Sequence, residues 1–342
     1  MSNLIGKPNP LRLASLVQGA LGAPRAEVLV GPGPGLDAAV LETSAGRVMA
    51  IAEDPIFPAP GLPLDIMGWF TVHIGASDVA VTGIRPEYMT YTLLLPLDCP
   101  EEDAQTIVTS ISEAAKELGI SIVGGHTGWY GAVTIPTVGG VTVWGHADKD
   151  AWISPGGARD GDVILMTKGP CIEAAALLSI VHHDRLAKDL APNLLQALRN
   201  RVNEISVVKD ALTAFAAGGV HAMHDATEGG VMGGLWEMSA ASGLPVMVDL
   251  DGIVVPEDIA ALAKALDFDP WQAISEGTLL AAVAPQDVAG VRHAWDRAGI
   301  SNMVLGEFDA SLTGNRMVRN GLNQVLCEPE KDPFWELFFQ GL

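Results

Sequence analysis

The sequence predicts a two-domain protein of α+β or α/β class, and three observations carry that expectation. A chain of 342 residues that is 49% hydrophobic has the length for about two domains and the apolar content for a sizeable core. Strand-like and helix-like apolar periods alternate in both halves, so each half pairs a sheet with covering helices. A loop rich in Gly, Pro and Asp, Ser154 to Gly161, separates the halves. The expected units are residues 1–153, residues 154–326 and an aromatic tail at 327–342.

Leu13, Leu16, Val17, Ala20 and Leu21 recur at helical spacing, and Gly22 with Pro24 ends this first helix. Lys7 precedes it in a Gly-Lys-Pro turn, either solvated or folded back towards a phosphate. Val28 to Val40 is the stretch around which the chain is organised: two strand-like runs joined by a glycine and proline loop that delivers Asp37. Gly31, Gly33 and Gly35 leave backbone amides uncovered while Pro32 and Pro34 stiffen the turn. Such a loop suits a plain rigid connection or a small concavity for anionic oxygens. Ala38 to Leu41 then reads as a strand, not a helix, which argues against a dinucleotide fingerprint. Arg47 to Ala52 is the next strand and ends in Glu53-Asp54-Pro55. Leu64 to Val81 is a long apolar helix containing Ser77-Asp78, where a carboxylate is costly to bury unless a cation, donors or local backbone satisfy it.

Tyr88 to Leu95 reads as a strand, and Asp98-Cys99-Pro100-Glu101 as a capping box that launches a helix to Leu118. Ser121 to Val123 reads as a short buried strand running into Gly124-Gly125-His126-Thr127-Gly128, whose glycines permit close approach of a ligand. Pro136 to Val143 supplies a further strand. The second half opens with a strand from Asp162 to Thr167, then Lys168-Gly169-Pro170 and helices at Ile172 to His182, around Leu194 to Arg201, and at Val207 to Ala217. His221 to Gly230 leads into a helix from Val231 to Ala241. Strands at Val246 to Leu250 and Thr278 to Val283 alternate with helices at Pro256 to Leu266 and Pro285 to Ala298. The aromatic run Asp332 to Phe339 is expected to dock on the body or on a partner.

Twenty basic against 41 acidic residues give a formal charge of -21, which repels nucleic acid and anionic membranes, and no run of basic residues offsets it. A phosphate ligand therefore calls for a divalent cation. Cys99, Cys171 and Cys327 are odd in number and far apart, which suits a reducing cytoplasm. The start lacks a signal peptide's features and no apolar segment is long enough to span a bilayer, so the expected location is cytoplasmic.

His221, His224 and Asp225 have the chemistry of zinc ligands, but their spacing is not that of H-E-x-x-H and no third site is evident. His182 and His183 fall on different faces of a helix and read as polar surface residues. A serine hydrolase lacks its G-x-S-x-G elbow. The better grouping is Asp37, Asp54, Asp78 and Asp225, each near Gly, Pro, Ser or Thr at an element end. Magnesium prefers such oxygen ligands and bridges them to nucleotide phosphates.

In this order GPGPGLDAAV, AEDPI, SDVAVTGIRP, VGGHTG, GDVILMTKG, HDATEGGVMGGLWEM and SEGTLL resemble the PurM-like aminoimidazole ribonucleotide (AIR) synthetase superfamily. Within it the likeness is greatest to AIR synthase-related proteins akin to the hydrogenase maturation factor HypE, and it runs from about Lys7 to Glu307. The resemblance implies an N-terminal sheet that forms a barrel across a homodimer, a C-terminal α/β domain, and ATP in the cleft. It implies that Asp37, Asp54 and Asp78 hold magnesium and phosphates, with Lys7 and Gly35 beside them. Gly124, Gly125, His126 and Thr127 would approach the nucleotide, and Asp225, Thr227, Gly229 and Gly230 would close the cleft from the second domain. Lys168 and Gly169 match a strand-end turn facing the same cleft. Asp78, Asp225 and His126 are the catalytic candidates, with His126 or His224 available for proton transfer.

The implied activity is ATP-dependent phosphorylation of a carbonyl- or amide-type oxygen on a small-molecule or protein-borne substrate. The alternatives are a kinase of the thiamine monophosphate kinase type and a non-catalytic ATP-binding protein that serves a maturation partner. Several positions depart from the pattern. Leu36 stands where relatives commonly carry the first of two acids, Ser77 where Asn is usual, and His126 and Gly128 where acidic residues occur. HypE ends in a Pro-Arg-Ile-Cys type tail, whereas this sequence closes on Phe339-Gln340-Gly341-Leu342, so cyanide synthesis on a terminal thiol is not expected.

Overall fold

A computed structural model describes residues 20–57 and 62–340 together with Arg12, Leu13 and Ser15, the last three helical. Lys7 and most of the first expected helix lie outside the described residues. The N-terminal sheet is built from β1 (Val28–Val30), β2 (Ala39–Ser44), β3 (Arg47–Ile56), β4 (Tyr88–Leu95), β5 (Ser121–Trp129) and β6 (Thr137–Asp148), in the order β1-β2-β3-β6-β4-β5. Only β4 and β5 pair in parallel. The link between them is α2 (Glu101–Leu118), the crossover that a parallel pair requires. Its N-cap is Pro100, and Asp98 makes no capping bond, so the expected capping box is replaced by a proline start with Glu101, Glu102 and Asp103 in the first turn.

The other N-terminal helix, α1 (Leu64–Ala80), is apolar on all sides because all sides are covered: it packs on β3, β6 and α2 and, from the second domain, on α6 (Val208–Ala217). The predicted short buried strand at Ser121 to Val123 differs from what forms. β5 continues to Trp129 and is exposed along nearly its whole length, since among the described residues it is an edge strand of the sheet.

The second sheet holds β7 (Val163–Thr167), β8 (Val220–Asp225), β9 (Val246–Asp249), β10 (Leu279–Val283), β11 (Asn302–Phe308), β12 (Arg316–Arg319) and β13 (Leu322–Val325), ordered β13-β12-β9-β11-β7-β10-β8. Only β9 and β12 pair in parallel. The domain is therefore α+β with a mixed sheet and not the α/β unit expected. β10 lies inside the sheet with every residue buried, and its alternation splits the side chains between two cores. Leu279, Ala281 and Val283 join the core shared with α1 and the N-terminal sheet, whereas Leu280 and Ala282 face a second core with Met238 and Phe308. Five more helices flank these strands: α3 (Ile172–Val181), α5 (Pro192–Asn200), α7 (Gly230–Ser242), α8 (Glu257–Leu266) and α9 (Val288–Ala298), with the short α4 (His183–Asp189) between α3 and α5.

The aromatic tail forms α10 (Pro333–Gln340), which buries Phe334, Leu337 and Phe338 against α3. His182, expected at the surface, is buried beneath it and donates from Nε2 to the Leu337 carbonyl over 2.8 Å. A contact so distant in sequence leaves no trace in helical periodicity. Among the described residues no helix is long and apolar enough to cross a membrane.

Candidate active site between the domains

Three carboxylates of the first domain and two of the second lie near enough at the seam for their charges to act on one another. Asp37 ends the glycine and proline loop, Asp54 lies near the end of β3, and Asp78 is in the last turn of α1. Asp225 ends β8, and Glu276 sits in the turn before β10. Asp54, Asp225, Asp37 and Glu276 all act on Asp78: burial first, then their charges, push its carboxyl well above the usual range. Burial and Asp37 push Asp225 up to about 7, and burial and Asp225 raise Glu276 strongly. Among the described residues no hydrogen-bond donor reaches either oxygen of Asp225 or Oε1 of Glu276, although both residues are nearly fully buried.

The loop reaches this place because Gly35 permits it. Its φ is +68°, and a Cβ there would stand 2.4 Å from the carbonyl oxygen of Glu237 on α7. His224 fixes the same contact: Nδ1 is 2.7 Å from Asp37 Oδ2 and Nε2 is 3.0 Å from Glu237 Oε2. Both nitrogens face carboxylates, so both carry protons and donate. Burial opposes that charge, but Asp37 and Glu237 outweigh it and hold the imidazole well above its ordinary pKa. Asp37, His224 and Asp225 bring ligand atoms within 4.8 Å of one another. An imidazolium offers no lone pair, however, which leaves metal binding to oxygen and removes His224 as a proton acceptor. His221 belongs to a different place, bonded to Asp162 at 2.9 Å, because residues three apart on a strand face opposite ways.

The second-domain turn is built by Thr227, Gly229 and Gly230. Gly230 donates to the Thr227 carbonyl over 3.0 Å, and Ser275 donates to that carbonyl over 3.2 Å, which ties the turn to the segment carrying Glu276. Gly229 donates to Asp332 Oδ2 over 2.8 Å, and Trp335 Nε1 donates to Glu228 Oε1 over 3.0 Å, so the α10 segment holds the turn from outside. Burial, then the charges of Glu228 and Asp332, push nearby Glu173 up to about 8.

The remaining expected residues lie elsewhere. Lys168 turns its amine to the carbonyls of Glu204 and Ser206 and pairs with Asp210 at 3.1 Å. Ser77 Oγ is likewise engaged, donating to the His73 carbonyl and accepting from the Val207 amide. Gly124, Gly125, His126 and Thr127 form part of exposed β5 and not a loop. Asp54 pairs across to Val141, Val141 to Tyr91 and Tyr91 to Gly125, so Gly125 shares a cross-strand row with Asp54 but stands three strands away, about 14 Å. His126 bonds its own neighbour Tyr130. Glu276 and Glu237 were not singled out from the sequence. Both lie within motifs that carry the family resemblance, Glu276 in SEGTLL and Glu237 in HDATEGGVMGGLWEM, and that was the signal available for them.

These two domains and their shared carboxylate cluster define an AIR synthase-related protein. The family model for the N-terminal domain of AIR synthase related proteins matches residues 35–147, and that for the C-terminal domain matches residues 159–318. The carbamoyl dehydratase HypE of Cupriavidus necator is 31% identical over 263 residues, covering 74% of this chain and 70% of that protein. The chain belongs to the AIR synthase-related family, and within it is HypE-like. A structure of HypE in complex with ATP superposes with a TM-score of 0.67 at 22% identity, over 95% of this chain and 96% of that one. A HypE-HypF complex gives 0.72 at 20% identity, over 93% and 99%. At these identities the two structures speak for the fold.

Proposed function

We propose that this protein is a magnesium- and ATP-dependent enzyme that phosphorylates a carbonyl- or amide-type oxygen. The observation that carries the reading is the convergence of Asp37, Asp54, Asp78, Asp225 and Glu276 from both domains. Asp78, Asp225 and Glu276, raised by burial and then by neighbouring carboxylates, together with buried Asp225 and Glu276 oxygens that no donor among the described residues reaches, make a donor set suited to a hard divalent cation. Asp37, Asp54 and Asp78 would hold it, with Asp225 beside them. Magnesium, when bound, supplies charge neutralisation between this cluster and the nucleotide phosphates.

The chain's own residues position the reactants. His224 holds Asp37 against the second domain, and the Thr227 to Gly230 turn presents backbone to the cleft. Transfer breaks the bond from the terminal phosphorus to its bridging oxygen and forms one to the substrate oxygen, turning a poor leaving group into phosphate. Proton transfer then falls to a group other than His224. The exposed edge of β5 supports a homodimer in which two N-terminal sheets join, which would bring Gly124 to Thr127 of a second copy near a cleft. HypE is seen with HypF, and by analogy a maturation protein is the kind of partner to expect.

Calorimetry of ATP binding with and without magnesium, for the native chain, Asp37→Asn and Asp78→Asn, tests the reading. Magnesium-dependent binding lost in both variants supports it, and no binding by the native chain overturns it. Phosphate that stays on the product would instead favour a kinase of the thiamine monophosphate type.

A further inference from the structure

The sequence shows no run of basic residues, yet the fold assembles a basic site. A groove of about 690 Å³ lies along the domain seam, walled by the segment after α1, the end of α2, α6 and α9. Arg85, Lys209 and Arg297 line it, and Glu117 is the one acid among the lining residues. Over the chain acids outnumber bases 41 to 20, so the local balance is reversed. Neither Arg85 nor Arg297 has a side-chain hydrogen bond or ion pair among the described residues. Lys209 gives one bond, to the Ala298 carbonyl at 2.7 Å, and keeps two donors. Between these cations the wall is apolar, with Leu118, Leu212 and Ala216.

We propose that this groove binds a small organic anion, its acidic head between Arg85, Lys209 and Arg297 and its apolar body on Leu118 and Leu212. The groove is open to solvent, its volume falls in the range of small-molecule sites, and domain seams are common places for such sites. A small anion meets chiefly the local cations, because charges beyond about 10 Å are screened. An acidic protein surface would face the repulsion of the whole -21 chain. The groove is distinct from the carboxylate cluster. Arg85 follows the end of α1, the helix that carries Asp78, and Lys209 adjoins Asp210, the partner of Lys168.

The probe is 8-anilinonaphthalene-1-sulfonate, an anion with an apolar body, titrated by fluorescence into the full chain. One equivalent is expected to bind, and protection from hydrogen exchange should appear at 208–217 and 294–298. The Arg85→Gln/Arg297→Gln double variant should weaken binding at least tenfold without moving the melting temperature. Ala216→Trp, which fills the groove, should abolish it and decides the question if the double variant fails to fold. Binding that neither substitution alters, or protection confined to other segments, overturns the proposal.

Discussion

Replacing His224 by leucine is the sharpest test of how the two domains are held at the site. The imidazolium lies between Asp37 and Glu237 with side-chain exposures of 3%, 11% and 12%, so all three groups are largely withdrawn from water. Removing the cation leaves two carboxylates facing each other without compensation, a loss of about 3–5 kcal/mol for breaking a buried pair. Unfolding of the 342-residue chain carries an entropy of about 0.7 kcal/mol/K at ~2.1 cal/mol/K per residue. The melting temperature of His224→Leu should therefore fall by about 4–7 °C, read by calorimetry in metal-free buffer. The sign with pH follows from the raised imidazole. Its contribution is complete below about 6.5, the ordinary value, and is lost as pH rises through the higher folded value. A double-mutant cycle with Glu237→Gln should show coupling of about 1 kcal/mol or more. A melting temperature within about 1 °C of the native chain, with no coupling to Glu237, would refute the clamp.

Gly35→Ala should cost about 2–4 kcal/mol, from a left-handed backbone and a Cβ 2.4 Å from the Glu237 carbonyl oxygen, and should weaken magnesium-dependent nucleotide binding in calorimetry. Lys168→Ala breaks a pair whose side chains are 13% and 4% exposed, and denaturant unfolding should register about 3–5 kcal/mol. Glu173→Gln tests the acidic pocket under α10. A carboxyl raised from 4.5 to about 8 keeps a proton in the folded chain that the unfolded chain releases, so stability declines as pH climbs between those values. The variant should melt above the native chain at about pH 9 and converge with it at about pH 4. Phe334→Ala, at a side chain 2% exposed, should speed hydrogen exchange in 333–340 and in the Thr227 to Gly230 turn.

Much of the site was legible because the carboxylates announce themselves locally. Asp37, Asp54, Asp78 and Asp225 each interrupt an apolar run near a glycine, proline or hydroxyl residue, and burying a charge there calls for an explanation. Their convergence was not legible, since Asp37 and His224 are 187 residues apart. His224 suggested zinc because its residue type fits a ligand. Only the carboxylates at both of its nitrogens show that its lone pairs are spent. The β5 edge misled for a related reason: Ile122 and Val123 look like core residues in sequence, but the sheet ends there and leaves them exposed. The mixed character of the second sheet was hidden because alternating strands and helices look the same whether the strands pair in parallel or not.

The bond from Gly229 to Asp332 has a consequence for synthesis. Asp37 emerges 295 residues before Asp332, and at about 5–20 residues per second that interval lasts about 15–60 s. For the first 188 residues of it, until Asp225 is made, the first-domain carboxylates have no second-domain carboxylate beside them. The nascent N-terminal sheet can therefore form around α1 without bearing repulsion from the second domain, which arises only when that domain docks. The Thr227 to Gly230 turn, by contrast, gains its bond to Asp332 only once residue 332 has been made.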